Sequence, residues 1–324
     1  MGVAEAYRSF GRLEARGESA VYEELARRVA GDAELVRLIE DLPYRQRQPN
    51  LLFAAVRYLG GPVEDYPAFR TWTLGAWERV RRVMAERRTQ TNEPGRCAVL
   101  LPVLAALPQP LALIEVGASA GLCLYPDRYR YRYGDGPLIG PQDSPVTLEC
   151  RVDGPVPGGV PDGVPGGVPV VVWRAGVDLN PLDVRDPDDV RWLESLVWPD
   201  QPERLRRLRG AVEVARQEPP RLVRGDLNEA VEELVAAVPA GATPVVFHSS
   251  VLVYLPGEAR ESFTARMRRL PGHWVSNEPP GVLPSVDELM PLPAPEGRMV
   301  SMLALDGRPL AFTGLHGQFL ERFS

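Results

Sequence analysis

The chain has 324 residues, of which 44% are hydrophobic and 25% charged, as in a globular protein with one large or two ordinary domains. Its net charge of −6 argues against a protein that mainly binds a nucleic-acid backbone, because that role needs an excess of cations. The sequence contains no long uncharged apolar run and no apolar secretory segment near its start. We therefore expect no membrane partner and a cytoplasmic location.

Composition also excludes several kinds of chemistry. All 37 basic residues are arginines, which removes mechanisms that need a lysine amine. Cys97, Cys123 and Cys150 are odd in number and far apart, so we interpret them as core thiols. His273 and His316 have no companions at metal-ligand spacing. The sequence predicts no metal site.

Periodic apolar residues, punctuated by glycine and proline, predict helices through residues 1–107. The predicted helices cover Val21–Val29, Leu35–Ile39, Leu51–Leu59, Ala68–Arg88 and Ala98–Leu107. Pro94 suits the first turn of the last helix, which Asn92 or Glu93 can cap. We expect an all-helical N-terminal cap domain that ends at residue 107.

Short apolar strands alternate with helices from residue 108 to residue 324, which is typical of an α/β fold with a mostly parallel sheet. The predicted strands are Leu111–Val116, Val170–Val177, Arg221–Arg224, Val245–His248, Trp274–Ser276, Met299–Leu305 and Leu310–Phe312. The last two are separated by only Asp306–Pro309, so they must pair antiparallel. Repeated Gly-Val-Pro units between Asp153 and Pro169 predict a flexible loop.

The clearest functional signal is a glycine-containing turn after the first predicted strand. Leu111–Leu122 reads LALIEVGASAGL, an apolar strand that leads into Gly117 and Gly121 and then into a predicted helix. Glycines at such a turn let the backbone approach a ligand. The spacing differs from the Gly-x-Gly-x-x-Gly pattern of pyrophosphate binding and, with the acid Glu115, suits adenosine with an amino-acid tail.

Two later segments also place an acid directly after a strand. Asp178 lies in Gly176–Pro181 (GVDLNP), and Asp226 lies in Leu222–Leu227 (LVRGDL). The order of these motifs after the glycine turn, with the terminal hairpin, resembles the class I S-adenosylmethionine-dependent methyltransferases. That resemblance implies a Rossmann-like methyltransferase sheet and S-adenosylmethionine as cofactor, with S-adenosylhomocysteine as product.

The resemblance also assigns a cofactor site. Its members would be Glu115, Gly117, Ser119, Gly121, Asp178, Asn180, Asp226, Leu227 and His248. Glu149 rivals Asp178 as the ribose ligand because it lies closer to the glycine turn in sequence, although Asn180-Pro181 after Asp178 favours the latter. Gly121 and Asp178 are 57 positions apart, so we expect an insertion at about residues 125–170.

A second resemblance covers nearly the whole chain. It includes QTNEP at 90–94, RYRYRYGD at 128–135 and GVDLNP at 176–181. On these segments the chain resembles an uncharacterised bacterial family, the domain of unknown function DUF2332. This resemblance implies no activity.

Three side chains are candidates for catalysis. His248 ends a predicted strand at the edge where open α/β sheets bind ligands and is the best candidate for a base, with a hydrogen-bonded structural histidine as the alternative. Glu278 follows the next strand and is a second candidate, with a solvated loop glutamate as the alternative. Tyr254 is expected to line the same pocket, with Ser249 and Ser250.

Further residues are candidates for binding the substrate. They are Gln90, Asn92, Glu93 and Arg96, together with Ser249 and Ser250. Helix capping is an equally good interpretation of Asn92 and Glu93. Strict alternation in residues 127–133 places arginines on one face of a strand and tyrosines on the other. This pattern predicts either an exposed edge strand or a surface for an anionic or aromatic substrate, RNA included.

Together these observations predict an enzyme that transfers a methyl group from S-adenosylmethionine to a small molecule, with the helical domain closing over the acceptor. The alternative is a non-catalytic sensor or interaction protein that binds an adenosyl ligand on the same fold. A nicotinamide oxidoreductase is disfavoured by the glycine spacing. The sequence indicates neither the methyl acceptor nor the oligomeric state.

Overall fold

The structure is a computed structural model that describes residues 2–90, 92–153 and 167–323. Its helices are α1 (Val3–Phe10), α2 (Ala20–Ala30), α3 (Ala33–Glu40), α4 (Pro49–Tyr58), α5 (Tyr66–Gly75), α6 (Trp77–Glu86), α7 (Cys97–Ala106), α8 (Pro187–Leu196), α9 (Pro202–Gln217), α10 (Leu227–Ala236), α11 (Gly257–Met267) and α12 (Pro284–Asp287). Its strands are β1 (Leu111–Val116), β2 (Arg130–Tyr133), β3 (Thr147–Val152), β4 (Val171–Asp178), β5 (Arg221–Arg224), β6 (Thr243–Ser249), β7 (His273–Glu278), β8 (Ser301–Leu305), β9 (Arg308–Thr313) and β10 (Phe319–Arg322).

The chain forms two compact units. The first contains Met1–Thr91 and Arg185–Arg209, and the second contains Asn92–Val184 and Gly210–Ser324. This division differs from the predicted boundary at residue 107, because α7 belongs to the unit that holds the sheet and α8 belongs to the helical unit. Most of the loop predicted between Asp153 and Pro169 lies outside the described residues.

Helices α1 to α6 confirm the predicted helical character of the N-terminal region, with one correction. The segment Ala68–Arg88, predicted as a single helix, is divided into α5 and α6 around Ala76, which has φ of −109° and ψ of 12°. Gly75 precedes the break, and a glycine in a helix interior weakens the helix by about 1 kcal/mol relative to alanine. The local sequence therefore permits the break.

Aromatic side chains form the core of the first unit. The Phe53 ring lies 4.8 Å from the Tyr22 ring and 5.9 Å from the Phe69 ring, measured between centroids. The second segment of this unit, Arg185–Arg209, forms an ion pair with the first, in which Arg87 donates to Asp189 over 2.5 Å. Tyr58 donates a further hydrogen bond to Asp188, over 2.5 Å.

The second unit is built on a mixed ten-stranded sheet in the order β2-β3-β10-β9-β8-β7-β6-β1-β4-β5. Strand pairing is parallel except at β7–β8, β8–β9 and β9–β10. All seven predicted strands are confirmed, as is the antiparallel pairing of the hairpin β8–β9. Strand β10 was not predicted.

Both faces of the central sheet are covered, so β1 is buried at all six positions. One face carries a core in which α10 and α11 side chains pack on the sheet, with Val231 and Phe263 fully buried. On α7, another helix of this unit, every residue except Ala106 is buried, and α7 contacts β3 and β8. A helix that is apolar all round is expected to be buried in this way.

The arginine–tyrosine segment forms the edge strand β2, which confirms its predicted edge position. Its tyrosine face is buried, with Tyr129 and Tyr131 fully inaccessible, so the predicted surface for stacking a substrate or RNA on these rings is wrong. Both hydroxyls donate to backbone carbonyls over 2.6 Å, Tyr129 to Leu122 and Tyr131 to Pro126. The rings therefore anchor the chain that follows β1.

Tyr133 has a related role in α7. Pro102 lies inside this helix and has no N–H, so the carbonyl of Ala98, four residues earlier, lacks its usual helical donor. The Tyr133 hydroxyl donates to that carbonyl over 2.6 Å. A tyrosine from β2 thus replaces the bond that proline removes.

Among the described residues, no helix combines the length and the apolar character needed to cross a membrane.

We predict that Tyr133→Phe lowers the free energy of unfolding by about 1–3 kcal/mol, because it leaves the buried Ala98 carbonyl without a donor. In a Pro102→Ala background the same change should cost less than about 1 kcal/mol, since the new N–H can bond to that carbonyl. Urea denaturation of the four proteins measures both values. An equal cost in both backgrounds would contradict this role for Tyr133.

Candidate functional site

The glycine turn follows β1 at the carboxyl edge of the sheet. Gly117 and Gly121 have φ of +72° and +71°, and Ser119 between them has φ of +50°. These torsions lie in the left-handed region that favours glycine. The turn is tied to β4 by the Gly117 N–H, which donates to the Val177 carbonyl over 2.8 Å.

Asp178 joins the turn to the neighbouring strands. Its Oδ2 accepts the Ser119 N–H over 2.8 Å, its Oδ1 accepts the Asn180 N–H over 2.7 Å, and its carbonyl accepts the Gly225 N–H over 3.0 Å. The ends of β1, β4 and β5 therefore meet at one place, as the sequence predicted. Asp226 follows Gly225, is exposed, and caps α10 by accepting the Asn228 N–H over 2.8 Å.

Leu227 and Glu149, also considered for the cofactor site, lie on α10 and β3. Leu227 is the first residue of α10 and is buried, with 8% exposure. Glu149 is exposed on β3, and five strands separate β3 from β1 in the sheet. Of the two alternatives for the ribose ligand, Asp178 is therefore the one beside the glycine turn.

The α-helix predicted after Gly121 is not formed, which corrects the expectation from the sequence. Leu122–Leu124 is a short 3-10 helix instead. The Asn92 side chain makes two hydrogen bonds to the backbone of the turn. Its Nδ2 donates to the Ala118 carbonyl over 2.8 Å, and its Oδ1 accepts the Leu122 N–H over 3.0 Å. These bonds are made by a residue distant in sequence.

The other predicted substrate residues are also engaged in the fold. Glu93 is buried and accepts the Gly95 N–H over 2.9 Å. Arg96, 8% exposed, donates to the Leu315 carbonyl over 3.0 Å and to the Ser249 carbonyl over 2.9 Å. Gln90 belongs to the first compact unit. In the second unit, Asn92 and Arg96 hold neighbouring loops together.

The space over the glycines is filled by the protein's own side chains. A Cβ placed on Gly117 would lie 2.3 Å from Val251 Cγ2, and one placed on Gly121 would lie 2.8 Å from Pro220 Cγ and 3.1 Å from Leu124 Cδ1. Contacts this short are incompatible with a side chain at either position. The glycines thus make room for packing, and their cradle does not fit the tail of an adenosyl ligand in this conformation.

His248 lies near the end of β6 in a buried chain of hydrogen bonds, and its partners belong to the neighbouring strand β7. Its Nε2 accepts the Trp274 indole N–H over 2.9 Å, and its Nδ1 lies 2.7 Å from Glu278 Oε1. Because Nε2 accepts, the ring proton resides on Nδ1 and points to the carboxyl group. The histidine is fully buried, and both ring nitrogens are engaged. This geometry favours the structural interpretation over the catalytic base.

Glu278 is 2% exposed and fixes the turn after β6. Its Oε1 also accepts the N–H of Val251 over 2.9 Å and of Leu252 over 3.1 Å. Ser250, at φ of +56°, begins this turn, and its N–H donates to the Asn277 carbonyl over 3.1 Å. We call residues 250–254 the β6 turn. Glu278 is therefore a buried anchor of the β6 turn, in contrast to the solvated loop residue considered above.

The β6 turn is anchored from the other face of the sheet as well. The buried Asn277 side chain donates to Ser249 Oγ over 3.0 Å and accepts the Thr313 hydroxyl over 2.7 Å. Tyr254, at the end of the turn, is 75% exposed. Asn277, Thr313 and Val251 were not identified from the sequence, because their role depends on partners brought together by the sheet.

Glu115 is a buried acid on β1, and its Oε2 has no hydrogen-bond partner among the described residues. Burial, and then the Cys123 thiol nearby, raise the pKa of this carboxyl well above its usual range. The pKa of Cys123 is also raised, chiefly by its hydrogen bond with Cys97 and by burial. Burial of all three cysteines agrees with their predicted role as core thiols.

No cluster of metal-binding side chains occurs among the residues described here, and His273 lies 2.8 Å from the Asp306 carboxylate.

Comparison with known proteins gives one match. Residues 4–322 match the model of a family described as an uncharacterized protein conserved in bacteria (DUF2332). No curated protein and no solved structure matches the chain. The match covers nearly the entire sequence and carries no activity with it.

The raised pKa of Glu115 predicts a pH-dependent difference between the protein and Glu115→Gln. The folded protein holds this proton more tightly than the unfolded chain, so the associated stability is present below about pH 4.5 and is lost as pH rises through the folded pKa. Glutamine does not ionise, so Glu115→Gln should gain stability relative to the wild type as pH rises from 4.5 to 8. Urea denaturation across this range measures the difference, with the exposed Glu149→Gln as control. A difference that does not change with pH would refute the burial of an acid at Glu115.

Proposed function

Because the chain belongs to this uncharacterised bacterial family, we propose a function from its site: it binds an adenosyl ligand at the carboxyl edge of β1, β4 and β5, without using His248 for proton transfer. One observation carries the proposal. Asp178 accepts the Ser119 N–H and, through its carbonyl, the Gly225 N–H, which brings the glycine turn and two acids to a single edge.

The order of the parallel strands supports a Rossmann-like sheet of the methyltransferase type. Counted along the chain, the parallel run β5-β4-β1-β6-β7 reads 3-2-1-4-5. Doubly wound nucleotide-binding sheets share this order, and their ligands lie outside the carboxyl ends of the strands, where the order reverses. In this protein that reversal lies between β1 and β6, beside the glycine turn.

The chemistry of the exposed rim supports an adenosine moiety. Ribose hydroxyls and the adenine amino group are donors, and carboxylates such as Asp178 and Asp226 have about four acceptor sites each. Leu179 and Tyr254, which follow β4 and β6, are 71% and 75% exposed and offer apolar surface to a purine.

Two observations favour a non-catalytic ligand-binding role. The hydrogen bonds of His248 to Trp274 and Glu278 leave neither ring nitrogen for a substrate. Val251 occupies the space next to Gly117 where the ligand's tail would approach. A sensor or interaction protein that binds the adenosyl group alone requires neither a free nitrogen on His248 nor a displacement of Val251.

Methyl transfer from S-adenosylmethionine to a small molecule is our second proposal, and it is supported by the same strand order as the binding proposal. Transfer from a sulfonium depends mainly on in-line placement of the acceptor. In this protein it would require Val251 to move away from Gly117. We therefore derive no transfer step from the present geometry.

Calorimetric titration with adenosine, S-adenosylmethionine, S-adenosylhomocysteine and NAD tests the binding proposal. We expect at least one adenosyl ligand to bind and NAD not to bind. Asp226→Asn should weaken binding about tenfold by removing an acceptor charge, while α10 keeps an equally good N-cap. Asp186→Asn, the matched cap of α8 in the other unit, should leave binding unchanged.

Failure of all the adenosyl ligands to bind, or binding of NAD alone, would overturn the proposal. Incubation with methyl-labelled S-adenosylmethionine and a bacterial extract distinguishes the methyltransferase from the non-catalytic sensor. Label transfer that depends on the protein supports the methyltransferase, and binding without transfer supports the sensor.

A further inference from the structure

Val251 covers the glycine turn at the point where the strand order reverses. A Cβ placed on Gly117 would lie 2.3 Å from Val251 Cγ2, 2.8 Å from Cγ1 and 3.1 Å from Cβ. The whole isopropyl group therefore rests against the glycine. Any ligand atom that approached Gly117 from this side would meet these methyl groups first.

The position of Val251 is fixed by its backbone. Glu278 Oε1 accepts the N–H of Val251 and that of the next residue, Leu252, which is fully buried. Ser250 enters the turn with φ of +56°, a conformation that non-glycine residues adopt only where their surroundings hold them. Rotation of the Val251 side chain alone leaves a β-branched group in the same place.

Val251 covers only the glycine turn, and the part of the proposed site at the ends of β4 and β5 stays accessible. Asp226 is exposed at the end of β5, and Leu179 beyond β4 is 71% exposed. The rim that would hold ribose and adenine is thus accessible, whereas the glycine cradle that would hold an amino-acid tail is filled. A charged tail would also lose water on reaching the valine methyls without gaining a partner there.

We propose that Val251 is a specificity-determining residue that selects adenosine ligands without an amino-acid tail. The ligand class is adenosine and its 5′ derivatives with a small uncharged group, such as 5′-methylthioadenosine. Its apolar 5′ substituent matches the methyl groups of Val251, and S-adenosylhomocysteine and S-adenosylmethionine are disfavoured. This inference rests on the proposed binding of an adenosyl ligand at the same edge.

Calorimetric titration of the full chain with 5′-methylthioadenosine and S-adenosylhomocysteine tests the inference. We expect the wild type to bind 5′-methylthioadenosine at least tenfold more tightly. Val251→Ala removes both Cγ atoms and should reduce that ratio at least tenfold, mainly by tighter binding of S-adenosylhomocysteine. Val253→Ala, a change at a 40% exposed valine in the same turn, should leave the ratio unchanged. Val251→Thr, which keeps the shape, should gain no affinity for S-adenosylhomocysteine.

The outcomes separate this inference from the proposed function. Binding of neither ligand to any variant overturns this inference, and it overturns the proposed function as well if adenosine and S-adenosylmethionine also fail to bind. Equal or tighter binding of S-adenosylhomocysteine by the wild type overturns the role of Val251 while adenosyl binding stands. An unchanged ratio in Val251→Ala also overturns it. If Val251→Ala loses the circular dichroism spectrum of the folded protein, the inference is tested by the ratio of the two ligand affinities in the wild type alone.

Discussion

A buried chain of hydrogen bonds, from Trp274 through His248 to Glu278, is the constraint on which the candidate site depends. A buried carboxyl group is costly unless donors surround it, and Glu278 Oε1 has three: His248 Nδ1 and the N–H groups of Val251 and Leu252. Because the two N–H groups belong to the β6 turn, the bonds they make to Oε1 also fix the turn. Val251 is thereby held on Gly117. His248, for which catalysis and a structural role were both considered, is thus part of the packing that holds this turn.

The rest of the edge is held in the same manner, by side chains that bond to backbone. Asp178 binds two N–H groups from the glycine turn and the end of β4, and Asn92 binds the turn from its other side. Arg96 connects the end of β6 to the chain beyond β9. Polar residues at a sheet edge are commonly interpreted as ligand contacts. Here their burial and partners show that several of them stabilise the loops, whereas Asp226 is exposed.

Sequence patterns predicted the strands well, but they did not predict contacts between residues that are far apart in the chain. All seven predicted strands form, and β1 shows why, since its burial on both faces gives a nearly continuous apolar run, whereas β10 carries Glu321 and Arg322 and gives only a weak signal. The missing helix after Gly121 agrees with a local signal, Pro126, whereas the bonds that Asn92 makes to this turn come from a residue 30 positions away from Leu122. The gathering of Gly117, Asp178 and Asp226 was predictable from parallel strand ends. A hydrogen-bonded structural role was one of the two interpretations of His248, but the partners themselves could not be predicted, because they lie 26 and 30 residues away.

The tautomer of His248 shows whether the buried chain from Trp274 to Glu278 exists. The chain has three histidines, so ¹⁵N NMR of the imidazole rings in a His273→Gln, His316→Gln variant reports on His248 alone. In the folded protein at neutral pH we predict a proton on Nδ1, an unprotonated Nε2 that accepts a hydrogen bond, and a Trp274 indole proton protected from exchange. A proton on Nε2, or a rapidly exchanging Trp274 indole proton, would contradict the buried chain and return His248 to the candidates for catalysis.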